Sequence, residues 1–286
     1  ASDVYKRQLI IYSILTEQNI AKMFLAAFVP GILAAIGYLI AIAIFVRIKP
    51  DSGPPTSYVG WRQRLNLFGQ VWQILVIFFL VIGGIYLGWF TPTEGASIGA
   101  AGTGIMALFT KGFNFSDLID VIKDTAVTSA MIFLVLLGAE FFNSFIALTQ
   151  ITNELATFVI SNELSPYLVV FCILVLYILL GCLMDSLAMI LLTIPVFFPI
   201  IIELDFGMSI EEVAIWFGIL TLIVVEVGLI TPPVGLNVFI INKMAKNVPI
   251  SDTFIGVLPF LISDLIRVGI LFIFPGISLF LIRLFG

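Results

Sequence analysis

The sequence predicts an all-α protein that crosses a lipid membrane several times. Of its 286 residues, 61% are hydrophobic and only 11% are charged, whereas soluble domains usually carry about a quarter charged residues. The apolar residues are gathered in long runs, several of them near the roughly 20 residues that a helix needs to span the bilayer core. Lipid is therefore the expected solvent for most of the surface.

The predicted apolar segments follow one another with short polar stretches between them. In chain order they are Phe24–Val46, Val71–Phe90, Ala96–Phe109, Ala126–Leu148, Pro166–Leu183, Ser186–Ile202, Val213–Ile230, Val234–Met244 and Ile255–Leu284. The longest polar stretch, Arg47–Gln70, is rich in proline and predicts a loop. Residues 1–8 are polar and have no initiator Met, so we interpret them as a non-native or truncated start and leave them out of the fold prediction.

Composition excludes several kinds of site. The chain has no histidine, so zinc and haem sites and histidine-assisted nucleophiles are not expected, and no cofactor is predicted. The cysteines, Cys172 and Cys182, lie in apolar runs and are predicted to be small core residues. The net charge of −5 comes without a basic tract, so no nucleic-acid partner is expected.

The distribution of Lys and Arg predicts the orientation in the membrane, because cytoplasmic loops are enriched in both. Arg47–Arg64, Lys111–Lys123 and Lys243–Lys246 are expected inside. The loops Gln150–Ser165 and Glu203–Glu212 contain acidic residues and neither Lys nor Arg, so both are expected outside.

The segments Pro166–Leu183 and Ser186–Ile202 therefore start and end outside, as two full spans or as one re-entrant hairpin. Their tip is Gly181–Ser186. Asp185 lies deep in apolar sequence, where an acid normally faces a cavity or a partner; it also suits the N-terminus of the following helix as a cap. Ser186 and the backbone groups of the tip suit a sodium ion.

The next pair, Val213–Ile230 and Val234–Met244, starts outside and ends inside, so it crosses once with a break at Thr231–Gly235. Pro232 and Pro233 remove two backbone donors and push the preceding residue out of helical geometry. A helix broken at membrane depth needs partners for its freed backbone groups. The hairpin tip is a second such break, so we expect Gly181–Ser186 and Thr231–Asn237 to meet near mid-membrane.

A plain proline kink is one interpretation of this break. The combination of two prolines with Gly235, Thr231 and Asn237 favours a site for a cation or an anionic substrate. Glu226, one turn earlier, is expected either to help bind a cation or to bond a neighbouring helix as a neutral acid. Outside this region we expect a structural role for Glu140 and a pairing of Asp264 with Arg267 on one helix face.

A short outer turn at Thr91–Ala96 is predicted between two spans, with Thr93 capping the next helix and Glu94 near its positive end. Small residues then predict close helix packing. The glycines among them are Gly99, Gly102 and Gly104.

Two stretches resemble each other in pattern. Ile11–Phe24 and Ile241–Phe254 each end an apolar helix, cross a polar stretch and enter a segment with a proline. The Lys and Arg distribution gives the two copies opposite orientations, which is typical of inverted repeats. Most of the first repeat is then absent from this chain.

Four motifs carry a family resemblance. TPTEGASIGA (Thr91–Ala100), GCLMDSLAMILLTIPVFFPI (Gly181–Ile200) and GLITPPVGLNVFIINKMA (Gly228–Ala245) resemble the large membrane subunit of tripartite ATP-independent periplasmic (TRAP) transporters. ILTEQNIAKMFLAAFVPG (Ile14–Gly31) resembles the stretch that closes that family's first repeat. The resemblance begins at about Leu9.

The resemblance implies an elevator-type, sodium-driven importer of an organic acid in the bacterial inner membrane. A small membrane subunit and a periplasmic substrate-binding protein are the implied partners. The implied organisation is the end of the first repeat at 9–31, scaffold helices and a cytoplasmic loop at 32–124, and the second repeat at 125–286. Within that repeat lie a hairpin at 166–203, a broken helix at 211–245 and a last span at 255–285. The hairpin and the broken helix are expected to move together against a scaffold that includes Phe24–Val46 and Val71–Phe90. Sodium is expected at Ser186, Thr231 and Asn237.

Three other functions are consistent with parts of the pattern. An intramembrane aspartyl protease needs Asp185 and Glu226 within a few ångströms of each other, and it does not explain the two prolines. A membrane scaffold does not need polar groups at mid-depth. An ion-coupled anion transporter of a related inverted-repeat family, working without a binding protein, is the nearest alternative.

Overall fold

The computed structural model describes residues 2–50, 60–109, 113–244 and 248–285, and within them the regular structure is α-helical with no strand. This confirms the predicted all-α class. The helices are α1 Ser2–Leu15, α2 Ile20–Ile48, α3 Trp61–Tyr86, α4 Pro92–Phe109, α5 Phe115–Thr149, α6 Ile151–Ser161, α7 Pro166–Gly181, α8 Ser186–Ile202, α9 Ile210–Ile230, α10 Leu236–Met244, α11 Ile250–Ile273 and α12 Gly276–Phe285. Among these, α2, α5, α9 and α11 are long and apolar enough to cross a membrane.

The chain forms two compact units. The larger comprises Ala1–Pro50 with Leu134–Gly286, and the smaller comprises Asp51–Phe133. In the larger unit α9 is the central helix, buried along nearly all of its length. Helices α1, α2, α7, α8, α11 and α12 pack around it. A helix that is apolar on all sides is expected in such a central position.

An aromatic cluster fixes one end of α9. Trp216 is completely buried, and its indole N–H donates to the carbonyl of Leu271 at 2.9 Å. Its ring lies 5.4 Å from that of Phe206, 6.1 Å from Tyr167 and 6.2 Å from Phe272. The cluster joins α7, α9, α11 and the loop before α9. The same end of α9 begins with a capping box between Ser209 and Glu212.

The arms of the predicted hairpin are helices α7 and α8, which pack on each other and on α9. Between the arms, the hydroxyl of Thr193 lies 2.7 Å from that of buried Tyr177. Both hydroxyls thus have a partner in an otherwise apolar contact, as buried polar groups require. Pro195 and Pro199 lie inside α8 without ending it.

In the smaller unit, α3 and α4 pack on each other. A Cβ added at Gly102 would lie only 3.2 Å from Ile77, so this glycine serves the predicted close packing, whereas a Cβ at Gly99 would make an ordinary contact with Val81 at 3.5 Å. Gly104 has no atom within 4 Å of such a position and does not serve that packing.

The residue that caps α4 lies two positions before the predicted one. The helix starts at Pro92, and Thr91 rather than Thr93 accepts the N–H of Glu94. The carboxylate of Glu94 accepts in return from the Thr91 N–H at 2.7 Å. Proline suits the first helical position because its missing N–H has no partner there anyway.

Three predicted segments contain helices or a helix break that the sequence did not indicate. The start at 1–8 is helical from Ser2 as part of α1. The predicted outer loop Gln150–Ser165 contains the amphipathic helix α6, which packs on α8. The last span 255–285 is two helices, because Pro275 cannot donate a backbone hydrogen bond and Phe274 leaves helical geometry before it.

One predicted scaffold element also lies elsewhere. Helix α2 packs on α9, α11 and α12 in the larger unit, with Met23 and Ala26 fully buried. It therefore belongs to the same unit as the hairpin and the broken helix. Residues 51–59 of the predicted cytoplasmic loop, together with Lys111 and Lys246, lie outside the described residues.

The orientation in the membrane can be tested at the two ends of the broken helix. Glu203 and Lys243 are exposed, and the charge distribution places them on opposite sides of the membrane. In a background without native cysteines, we expect Glu203→Cys to react with an impermeant maleimide added outside. Lys243→Cys is expected to react only after permeabilisation. Labelling of position 203 from the cytoplasmic side alone would contradict the scheme.

Candidate functional site

The hairpin tip and the helix break lie against each other. The thiol of Cys182 is 3.4 Å from the carbonyl oxygen of Pro232. One turn away, the backbones of Gly181 and Gly228 are so close that a Cβ added at Gly228 would lie 2.7 Å from the Cα of Gly181. The two interruptions that the sequence singled out separately are therefore neighbours.

Asp185 and Ser186 begin α8 at the tip. The carboxylate of Asp185 is exposed and accepts the N–H of Leu187 at 3.0 Å, so it is the cap of α8. Ser186 is only 1% exposed, and its hydroxyl has no hydrogen-bond partner among the described residues. A buried hydroxyl without a partner costs free energy, about 1–3 kcal/mol. The Ser186 hydroxyl is therefore a candidate ligand for an ion or a substrate that binds at the tip.

Thr231 ends α9 with extended backbone geometry. Its hydroxyl donates to the carbonyl of Val227 at 2.6 Å, and its N–H donates to the carbonyl of Gly228 at 3.0 Å. The hydroxyl hydrogen is thus engaged, while the oxygen keeps lone pairs that can accept a bond or coordinate a cation.

The rest of the break leads into α10. Pro232 and Pro233 are exposed, and Gly235 is buried with φ of 55°. That left-handed conformation favours glycine, and a Cβ there would also lie 3.0 Å from the ring of Phe254. Asn237 follows in the first turn of α10 and is half-buried.

Four helix ends lie at the tip and the break: α7 ends and α8 begins at the tip, and α9 ends and α10 begins at the break. The C-terminal ends of α7 and α9 present carbonyls and partial negative charge, which suits a cation. The N-terminal ends of α8 and α10 present N–H groups and partial positive charge, which suits an anion. This arrangement can accommodate both a cation and an acid group.

Glu226 bonds a neighbouring helix, as one of its two predicted roles requires. Its Oε1 accepts from the side-chain amide of Gln8 on α1 at 2.9 Å. Gln8 was missed because residues 1–8 had been left out. The sequence feature that could have indicated Gln8 is its position between the polar start of the chain and an apolar run. Asp185 and Glu226 bond Leu187 and Gln8 respectively, and no hydrogen bond joins the two acids.

The other predicted residues lie in different surroundings. Asp264 and Arg267 pair at 2.9 Å as predicted. The hydroxyl of Tyr38, which the sequence did not indicate, donates to Asp264 at 2.7 Å and ties α2 to α11. Glu140 is exposed on α5. Cys182 is buried as predicted, whereas Cys172 is exposed, which corrects its assignment to the core. The described part of the chain holds no cluster of three or more metal-binding side chains.

Comparison with known proteins adds a family match. Residues 7–277 match the family described as "Tripartite ATP-independent periplasmic transporter, DctM component". The C4-dicarboxylate TRAP transporter large permease protein DctM of Pseudomonas aeruginosa is 30% identical over 272 residues, which cover 95% of this chain and 62% of that protein.

Other relatives have different named substrates. The sialic acid TRAP transporter permease protein SiaT of Haemophilus influenzae is 30% identical over 95% of this chain and 43% of its own length. The ectoine TRAP transporter large permease protein TeaC of Halomonas elongata is 28% identical over 96% of this chain and 62% of its own length. The chain spans less than two thirds of the length of these relatives.

Proposed function

The chain belongs to the DctM component family of tripartite ATP-independent periplasmic transporters, and we propose that it forms part of a large permease that couples sodium entry to the import of an organic acid. The relatives are named as transporter permeases and not as enzymes. In this proposal the protein lies in the bacterial inner membrane with a small membrane subunit. A periplasmic binding protein delivers the substrate.

The observation that carries the proposal is the contact between the hairpin tip and the helix break. Sodium prefers hard oxygen ligands, and this place offers backbone carbonyls at the ends of α7 and α9. The side-chain oxygens proposed to join them are those of Ser186, Thr231 and Asn237. Of these, the Ser186 hydroxyl is buried without a partner in the described residues. A coordinated cation would satisfy it.

A bound cation favours an anionic substrate in the same site. Two opposite charges a few ångströms apart attract strongly where water is excluded, so each raises the affinity for the other. The N-terminal ends of α8 and α10 add partial positive charge for the acid group. Substrate and sodium are therefore proposed to bind with positive coupling.

The set of helices that we propose to move during transport differs from the sequence-based prediction by one helix, α2. The hairpin and the broken helix were expected to move against a scaffold that included Phe24–Val46 and Val71–Phe90. Helix α2, which contains the first of these, packs on α9, α11 and α12, and its residues Met23 and Ala26 are fully buried. We therefore place α2 with the moving body and leave Val71–Phe90 in the scaffold.

The test is uptake by the complete transporter reconstituted in proteoliposomes. Radiolabelled C4-dicarboxylate, sialic acid and ectoine are offered with the partner binding protein. Replacing external sodium by potassium at constant pH is expected to abolish accumulation of the transported acid, because the coupling ion is lost. Undiminished uptake without sodium, driven by a pH gradient, would overturn sodium coupling.

Matched serine variants then test the assigned ligands. Ser186→Ala is expected to raise the sodium concentration for half-maximal uptake about tenfold, the equivalent of about 1.4 kcal/mol. Ser278→Ala on α12 removes another buried, unpartnered hydroxyl that lies on neither the tip nor the break. It is expected to leave the sodium dependence unchanged. Equal effects of both variants would argue against a sodium ligand at Ser186.

A further inference from the structure

A hydrogen bond between two side chains joins helix α1 to helix α9. The amide of Gln8 on α1 donates to the carboxylate of Glu226 on α9 at 2.9 Å, across 218 residues. Gln8 has no exposed surface. Glu226 is partly buried. A bond from a buried amide to an acid group is stronger than one in open water, because water competes less for the donor.

This bond lies directly beside the packed end of α9. Val227 and Gly228 follow Glu226 in the chain. The carbonyl of Val227 accepts the Thr231 hydroxyl, and Gly228 meets Gly181 of the hairpin backbone to backbone. A rotation of α9 about its axis would therefore disturb the Gln8 bond and the glycine contact together, and it would turn Thr231 relative to the hairpin tip.

Helix α1 has a particular place in the predicted repeats. Its end corresponds in pattern to the end of α10, since Ile11–Phe24 parallels Ile241–Phe254. Gln8 immediately precedes the predicted end of the first repeat (9–31), so in that organisation its bond to Glu226 joins the helix that enters this segment to the broken helix of the second repeat. Farther along the same helices, the hydroxyl of Tyr12 donates to the carbonyl of Ala214 at 2.7 Å, so α1 holds α9 at two separate levels.

We propose that Gln8 and Glu226 are positioning residues, whose hydrogen bond sets the rotation of α9 and thereby aligns the oxygens of the break for sodium. This rests on the proposed function. Glu226 acts through Gln8 and the helix end, not as a ligand of the ion. The hydrogen bond is what matters in this arrangement, and the charge of Glu226 is not required.

A role for the hydrogen bond and a role for the charge of Glu226 predict different effects of substitution. Glu226→Ala and Gln8→Ala each remove the bond, so the sodium concentration for half-maximal uptake should rise about fivefold. Glu226→Gln keeps a partner for Gln8 without a charge and should stay within about twofold of the unaltered protein. The exchange Gln8→Glu with Glu226→Gln reverses donor and acceptor and should also stay within about twofold.

The measurement is sodium-dependent uptake by the complete reconstituted transporter, with the amount of monodisperse protein determined for each variant. Glu140→Gln, the same change at an exposed acid of α5, serves as the control and should have no effect. A Glu226→Gln variant as impaired as Glu226→Ala would overturn the proposal in favour of a role for the charge. Normal sodium dependence of Gln8→Ala would overturn it as well.

The outcome also separates this proposal from the proposed function. An unaltered transporter that is indifferent to sodium overturns both. A sodium-dependent transporter whose half-saturation is the same in all four variants overturns the positioning role alone. A fall in maximal rate with unchanged half-saturation indicates a general structural role and likewise contradicts the proposal.

Discussion

Replacing Gly228 by alanine is expected to abolish uptake. The added Cβ would lie 2.7 Å from the Cα of Gly181 and 3.1 Å from the carbonyl oxygen of Ile178. Both neighbours are backbone atoms, so no side-chain rotation relieves the overlap and α7 must move away from α9. Overpacking of this kind costs about 1–3 kcal/mol, and the movement separates the tip from the break.

Two glycines of α11 provide the matched control for this substitution. Gly256 and Gly269 have no atom within 4 Å of an added Cβ. Alanine has the higher helix propensity, by about 1 kcal/mol, so Gly256→Ala and Gly269→Ala are expected to keep or raise thermal stability and to keep uptake. If Gly228→Ala transports like these controls, close contact between hairpin and broken helix is not required.

Replacing Trp216 by alanine is expected to cause the largest loss of stability. The side chain is fully buried, packs against three aromatic rings and donates to the Leu271 carbonyl. Truncating a buried tryptophan leaves a cavity and costs about 3–5 kcal/mol. Here it also leaves a carbonyl without its donor. The midpoint of thermal unfolding in detergent should fall by about 10 °C.

Exposed Trp89 is the control for the loss of a tryptophan as such. It is 71% exposed, and Trp89→Ala is expected to change the unfolding midpoint by no more than 2 °C, since surface substitutions usually alter stability by less than about 0.5 kcal/mol. Trp216→Phe retains most of the ring packing and should lie between the two alanine variants. A Trp216→Ala protein as stable as Trp89→Ala would show that the aromatic cluster does not hold α9.

Much of the larger architecture could be predicted from local patterns. Apolar runs indicated most of the helices because lipid requires an apolar surface and internally bonded backbone. Pro232 and Pro233 indicated the break because proline has no N–H to donate. Asp185 indicated the start of α8 because a carboxylate accepts the free N–H groups of a first turn. Each of these effects acts within one or two turns of chain.

Contacts between helices could not be predicted from such local patterns. Helix α6 lacks a long apolar run, and its apolar side is recognisable only once α8 covers it. Whether α2 belonged to a scaffold or to the hairpin unit depended on its burial against α9. A sequence without a partner surface shows which residues are apolar, but it does not show which helix they contact.

The candidate site shows the same division most clearly. Residues at the tip and the break could be named from the sequence alone, since Gly181–Ser186 and Thr231–Gly235 each interrupt an apolar helix. The two interruptions were expected to meet because each needs partners for its backbone, and the structure has them in contact. Only the tertiary structure decided that Ser186 is buried without a partner in the described chain and that Gln8 holds Glu226. Local backbone chemistry places the interruptions, whereas their partners depend on contacts between residues as many as 218 positions apart.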